Sequence, residues 1–270
     1  MNEKFRAAGL QTRLITGLLL AAALIAVWCA GGWYLSGFVV LVSAVGLGEY
    51  LSLFQTRGGW LSRGLGLFLG TAYAAICALA PQYPPHLFLA ACGLVLGVYA
   101  LAAWSREKTL DPLGRAAFLL GGIVYVPVLL APAMHFSRWE QLLIVLVPAL
   151  SDIAAYFAGV SFGKHHIWAS VSPRKSVEGA AAGLAAAVAA TCVLGTLTGK
   201  APLAGFALLG LVLGIMAQLG DFFESALKRA AGVKDSSHLL PGHGGILDRI
   251  DSVLFCSGTY AVAAGFCVFF

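Results

Sequence analysis

Residues 202–223 read PLAGFALLGLVLGIMAQLGDFF, 22 positions with a single charged side chain, Asp221, two residues before the end. A helix of that length rises about 33 Å at ~1.5 Å per residue, enough to cross a hydrocarbon core of roughly 30 Å. The stretch therefore reads as a membrane span that closes on a carboxylate.

The same texture extends in both directions. Of 270 residues, 60% are apolar and 11% charged, against roughly 25% charged in an ordinary soluble domain. Apolar runs of spanning length recur at residues 14–30, 33–54, 64–80, 86–104, 116–136, 140–160, 179–198, 202–223 and 252–269. The expected fold is all-α, a polytopic membrane helical bundle of about nine transmembrane helices. Residues 1–135 would supply the N-terminal transmembrane helices. Residues 136–270 would form a C-terminal transmembrane catalytic region with cytosolic loops at 161–178 and 224–251. No separate soluble domain is expected.

Charge orients this bundle. With the N-terminus cytosolic, the inner segments hold Lys4, Arg6, Arg13, Arg57, Arg63, Arg106, Lys108, Arg115, Lys164, Arg174, Lys175, Lys228, Arg229, Lys234 and Arg249, which is 15 of the 17 basic residues. Only Arg138 and Lys200 fall outside, and cytosolic loops are where Lys and Arg accumulate. The net charge of +5 is thus spread between spans instead of gathered on one face, which argues against nucleic acid as a partner. Met1 to Arg13 leads into the first apolar run without a small-residue cleavage site, so no removed signal is expected. The cysteines, Cys29, Cys77, Cys92, Cys192, Cys256 and Cys267, show no C-x-x-C spacing and read as small core residues.

Ionisable groups inside apolar segments are costly and mark function by default. Glu49, Asp152 and Asp221 qualify. If the eighth span continues as a helix into the cytosol, Asp221, Glu224, Ser225 and Lys228 share one face at i, i+3, i+4 and i+7; the bland alternative is a solvated helix end with intrahelical ion pairs. The chain that follows, Lys234 to Asp251, packs basic groups, glycines and carboxylates into one short return to the membrane. Gly244 and Gly245 allow backbone N–H groups to approach an anion. Asp248 and Asp251 can share a helical face, and such oxygens suit Mg²⁺ beside phosphates. The loop Ser172-Pro173-Arg174-Lys175 could hold a phosphate near a helix N-terminus, or serve only topology and capping. His165, His166 and His238 read as polar loop residues, whereas His243 lies within the glycine loop.

These residues resemble the signature of the phosphatidate cytidylyltransferases, also called CDP-diglyceride synthases. The pattern is Ser225, Lys228-Arg229, Lys234-Asp235, His243-Gly244-Gly245, Asp248-Arg249 and Asp251, in register over 27 positions. Upstream the likeness continues through Ser151-Asp152, Tyr156, Gly159, Ser172-Pro173, Glu178-Gly179 and Gly220-Asp221. It covers residues 145–255 in detail, while the N-terminal half is similar only in being hydrophobic. Val160 stands where the family commonly has a basic residue, and Arg174 and Ser176 replace the usual Lys and Thr.

The resemblance implies transfer of CMP from CTP to phosphatidic acid in phospholipid biosynthesis, with CTP, phosphatidic acid and membrane lipid as partners. It implies Mg²⁺, with room for a second cation, at Asp221 and Asp248, with Asp152, Asp251 and Glu224 as further acidic candidates. Asp221, Asp248, Asp251, Lys228 and Arg229 would be catalytic. Ser151, Asp152, Tyr156, Ser172, Arg174, Lys175, Ser225, Lys234, Asp235, His243, Gly244, Gly245 and Arg249 would contact substrate. A homodimer is compatible with such a bundle. The expected location is a bacterial inner membrane with the active site facing the cytosol. The rival readings are a CTP-dependent lipid-alcohol kinase, which would release CDP, and an ion transporter using Glu49, Asp152 and Asp221.

Overall fold

A computed structural model describes the backbone of residues 3–53 and 59–270, with side chains for 15–53 and 59–270. The side chains of Lys4, Arg6 and Arg13, and the whole of Arg57, lie outside the described residues. The element order is α1 (Glu3–Ala30), α2 (Gly32–Leu53), α3 (Gly59–Leu79), α4 (Pro85–Glu107), α5 (Asp111–Ile123), α6 (Arg138–Phe162), α7 (Val177–Thr198), α8 (Leu203–Ala230) and α9 (Leu247–Ala264). Among the described residues no strand forms beyond two isolated bridges, as expected of a polytopic helical membrane protein. Among the described residues seven helices, α2 to α8 with α5 extended to Met134, are long and apolar enough to cross a membrane, and Ile15–Ala30 is a shorter apolar helix.

The first helix begins at Glu3 instead of residue 14, and three further boundaries differ from the sequence reading. The span at 116–136 is not one regular helix. Pro127 has no N–H to donate, and the chain widens into a π-turn at Val124–Val128 before a 3₁₀ turn at Ala131–Met134. The eighth helix runs seven residues past Phe223, so much of the expected 224–251 loop is helical. The last helix occupies 247–264 instead of 252–269. Beyond it the chain turns back: Phe269 lies buried between Phe206 and Tyr260, with ring centroids 5.8 and 6.1 Å away, and its carbonyl accepts from the Lys200 N–H at 2.8 Å.

The helices group into two compact units. The first comprises residues 1–134 with 235–248, and the second residues 135–234 with 249–270. In the first, α2 packs on α3 and on the irregular end of α5. Leu47, Leu119, Ile123 and Val126 are fully buried there, and Tyr50 stacks on Phe118 at 4.7 Å. In the second, α7 is sandwiched by α6 and α8. Small residues permit this approach: a Cβ on Gly183 would lie 2.9 Å from Ser151 O, and one on Gly210 would lie 2.8 Å from Val188 Cα. Close backbone approach is how apolar helices gain contact where lipid offers no hydrophobic drive. Helix α6 begins with a reciprocal cap, Ser137 N–H to Glu140 Oε2 at 2.5 Å and Glu140 N–H to Ser137 Oγ at 3.4 Å. The other Glu140 oxygen accepts from the Tyr260 hydroxyl at 2.6 Å.

Candidate functional site

In the second unit the polar residues gather at the C-terminal end of α8. Because that helix continues to Ala230, Asp221, Glu224, Ser225 and Lys228 do fall on one face. Ser225 donates to Asp221 Oδ1 at 3.3 Å, and Lys228 forms an ion pair with Glu224, whose side chain is buried. The loop after α6 folds onto this end of α8. Trp168 meets the Phe222 ring edge-on at 4.9 Å, and Arg229 Nε donates to Val171 O at 3.3 Å. Lys175 crosses to Asp221 Oδ2 at 2.5 Å while lying 4.1 Å from the Phe222 ring centroid. Arg229 also donates to Val233 O at 3.2 Å, so its guanidinium ties the helix end to its neighbours.

The loop is itself anchored by Glu178 in the first turn of α7. Its carboxylate accepts from the N–H groups of Lys164 and His165 at 3.1 and 3.3 Å and meets His165 Nδ1 at 2.6 Å. Ser176 caps α7, accepting from Gly179 N–H at 3.1 Å. Thus Lys175 is delivered to α8, whereas Arg174 stays exposed.

Three carboxylates of this unit act on one another. Asp152 and Asp251 each experience the charge of Asp221, and Asp251 that of Asp152; Lys175 and Arg249 offset the charge at Asp152, and Lys228 that at Asp251. An all-oxygen set of mutually repelling carboxylates is the donor chemistry of a hard divalent cation. Among the described residues no three His, Cys, Asp or Glu side chains lie close enough to share one ion. The set thus fits a cation held by one or two carboxylates and completed by substrate oxygens or water, a common arrangement for Mg²⁺. Ser151 is fully buried where α6 meets α7, while Tyr156, Val160, Lys234 and Arg249 are exposed.

In the first unit, residues 235–248 form a turn and the start of α9. Pro241-Gly242 makes a tight reversal, with Gly242 at φ 74° and the His243 N–H bonded to Leu240 O at 2.9 Å. Asp248 Oδ2 accepts from Ser236 N–H at 2.9 Å, Ser236 Oγ at 2.8 Å and Gly245 N–H at 2.8 Å. The residue that the sequence reading left outside the site is Glu49 of α2. Its Oε1 accepts from Ser237 Oγ at 2.6 Å and Ile246 N–H at 3.0 Å; its Oε2 accepts from Leu247 N–H at 2.7 Å and lies 3.2 Å from Ser236 Oγ, whose one proton it shares with Asp248. The glycines make room for these carboxylates: a Cβ on Gly244 would lie 2.7 Å from Asp248 Oδ2, and one on Gly245 would collide with Ser236 Oγ and lie 2.5 Å from Glu49 Oε2. Anions do approach the glycine loop, and in this arrangement they belong to the chain. Of the remaining predicted contacts, Asp235 is exposed and His243 half-buried.

The model of the Cytidylyltransferase family matches residues 11–267, well beyond the segment that carries the signature. The phosphatidate cytidylyltransferase of Helicobacter pylori is 33% identical over 261 residues, covering 94% of this chain and 89% of that one. The Staphylococcus haemolyticus protein of the same name is 32% identical over 260 residues, covering 91% and 95%. That of Mycobacterium bovis is 45% identical over 119 residues, 44% of this chain and 38% of its own. With a family match that reaches almost from end to end and relatives aligned over nearly their full length, the chain belongs to the cytidylyltransferase family.

Proposed function

We propose that the chain is a phosphatidate cytidylyltransferase, an integral membrane enzyme that forms CDP-diacylglycerol from CTP and phosphatidic acid. The observation that carries this reading is the near-full-length similarity to relatives so named, joined to a cluster of carboxylates and cations at the end of α8. A phosphate oxygen of phosphatidic acid attacks the α-phosphorus of CTP. The bond from that phosphorus to the bridging oxygen breaks, and the oxygen leaves with pyrophosphate. A phosphate monoester has a second pKa of ~6, so the nucleophile is largely ionised near neutral pH and no strong base is needed. Positioning and charge neutralisation carry the reaction.

Lys175, oriented by Asp221 and the Phe222 ring, neutralises phosphate charge in the second unit, with Lys228, Arg249 and the exposed Arg174 as further cations. Asp221, with Asp152 or Asp251, would hold Mg²⁺ there, and Asp248 is the acidic candidate of the first unit. The ion, when bound, supplies charge neutralisation on the triphosphate. The lipid tails remain in the bilayer while the headgroup meets a soluble nucleotide. The one-sided Lys and Arg distribution and the bacterial relatives support a cytosolic site in a bacterial inner membrane.

Purified protein in detergent, given CTP labelled at the α-phosphate, phosphatidic acid and Mg²⁺, is expected to yield labelled chloroform-extractable lipid. Asp221→Ala and Asp248→Ala are each expected to abolish it. Release of CDP with no label in lipid would instead mark γ-phosphoryl transfer and overturn the reading.

A further inference from the structure

Helix α9 starts at Leu247. The residue before its first turn is Ile246, whose side chain has no acceptor, yet the first N–H groups of any helix need partners. Those of Ile246 and Leu247 end on Glu49, which comes from α2, nearly 200 positions earlier in the chain. Glu49 is 7% exposed and faces four donors, two at each oxygen, of which the Ser236 hydroxyl is shared with Asp248. Its negative charge also suits a helix N-terminus.

We infer that Glu49 is a positioning residue for the reaction: by capping α9 from another helix and binding Ser236 and Ser237, it fixes the 235–248 segment that presents Asp248. This rests on the function proposed above. Ser236 connects the two carboxylates, since its hydroxyl lies 3.2 Å from Glu49 Oε2 and 2.8 Å from Asp248 Oδ2. Displacing Glu49 therefore loosens the serine, both backbone donors and the carboxylate they support.

The bonding pattern predicts an uncommon rank order of substitutions. Each Glu49 oxygen faces one rotatable hydroxyl and one backbone N–H that cannot turn away. A glutamine in either amide orientation sets an N–H against a backbone N–H, leaving that donor without an acceptor inside the protein. Glu49→Gln should therefore be worse than Glu49→Asp, which keeps both acceptors and the charge on a shorter stem.

The test runs in two arms on the full-length protein in detergent. First, wild type must convert α-labelled CTP and phosphatidic acid to labelled lipid; failure here removes the proposed function and leaves the hydrogen-bond pattern untouched. Second, kcat and KM for CTP are measured for Glu49→Gln and Glu49→Asp, with amide hydrogen exchange of both variants followed by mass spectrometry. Glu49→Gln is expected to lower kcat/KM by roughly tenfold to a hundredfold, as for loss of charge-assisted hydrogen bonds, with Glu49→Asp recovering part of it. Exchange should rise in 235–248 in the Gln variant, with peptides of α3 and α4 unchanged. Wild-type kinetics in Glu49→Gln would overturn the inference. So would equal loss in both variants with faster exchange throughout the first unit, because Glu49 would then serve only the fold.

Discussion

The two acidic centres of the molecule are satisfied in opposite ways. In the first unit Glu49 and Asp248 are enclosed by donors from their own chain: backbone N–H groups of Ser236, Gly245, Ile246 and Leu247, and the hydroxyls of Ser236 and Ser237. In the second, Asp221 has the Lys175 ammonium and the Ser225 hydroxyl, while Asp152 and Asp251 add like charge. A carboxylate fixed by several backbone donors is a rigid support, because those donors cannot follow a departing ligand. On the proposed function, one balanced by a flexible lysine in a field of like charge can exchange that ammonium for a metal ion while the lysine turns to a phosphate. On the proposed function, the comparison gives Glu49 a holding role in the first centre, where Asp248 remains the acidic candidate, and gives the second centre an exchanging role.

The largest expected effect breaks the comparison at the exchanging centre. Asp221→Asn keeps the size and the Ser225 contact but removes the charge. It should lower labelled-lipid formation by roughly a hundredfold or more, the scale for removing one preorganised electrostatic group, with little change in thermal midpoint. A variant that stays active would move the chemistry away from α8. Next in size is Gly245→Ala at the holding centre, where the added methyl collides with Ser236 and presses on Glu49. Overpacking of this kind costs about 1–3 kcal/mol, so the thermal midpoint in detergent should fall along with activity. The opposite pairing of stability and activity effects at these two positions would reverse the assignment.

Lys175→Met sharpens the comparison further. The apolar stem can still lie on Phe222, and the Lys175–Asp221 pair is only partly buried, so the cost to stability should stay below about 1 kcal/mol. If Lys175 exchanges between Asp221 and phosphate, KM for CTP should rise by roughly tenfold, as for loss of a charged hydrogen bond. An unchanged KM would make it a purely structural partner of Asp221.

Much of this was legible in the chain. Apolar runs of spanning length revealed the bundle because a helix is the simplest structure that satisfies its own backbone within lipid. The spacing of Asp221, Glu224, Ser225 and Lys228 predicted a shared face, and α8 extends far enough to make it one. Glu49 was conspicuous as a buried charge, but its partners lie nearly 200 positions away, and no local period encodes such a contact. The glycines at 244 and 245 signalled close approach of an anion without revealing whether it came from substrate or from the chain. The end of α9 was misplaced for a related reason. Residues 265–269 are as apolar as a span, and only the ring packing of Phe269 against Phe206 and Tyr260 shows that they fold back.

The smallest predicted effect separates the two serines of the holding centre. Ser237 donates only to Glu49 Oε1, and Ile246 N–H remains on that oxygen after Ser237→Ala. Ser236 lies between two carboxylates and has one proton to donate, so Ser236→Ala removes the bridge between them, although Asp248 Oδ2 keeps the N–H groups of Ser236 and Gly245. A single hydrogen bond to a charged acceptor is worth about 1.5–3 kcal/mol, and less where other donors remain. Ser237→Ala should therefore reduce kcat/KM by roughly twofold to fivefold, and Ser236→Ala by more. In a double-mutant cycle with Glu49→Asp, Ser236→Ala should be non-additive, since bridge and support act through the same Asp248 carboxylate. Additivity would mean that the support of Asp248 does not pass through Ser236, and that the reach of Glu49 ends at the helix cap.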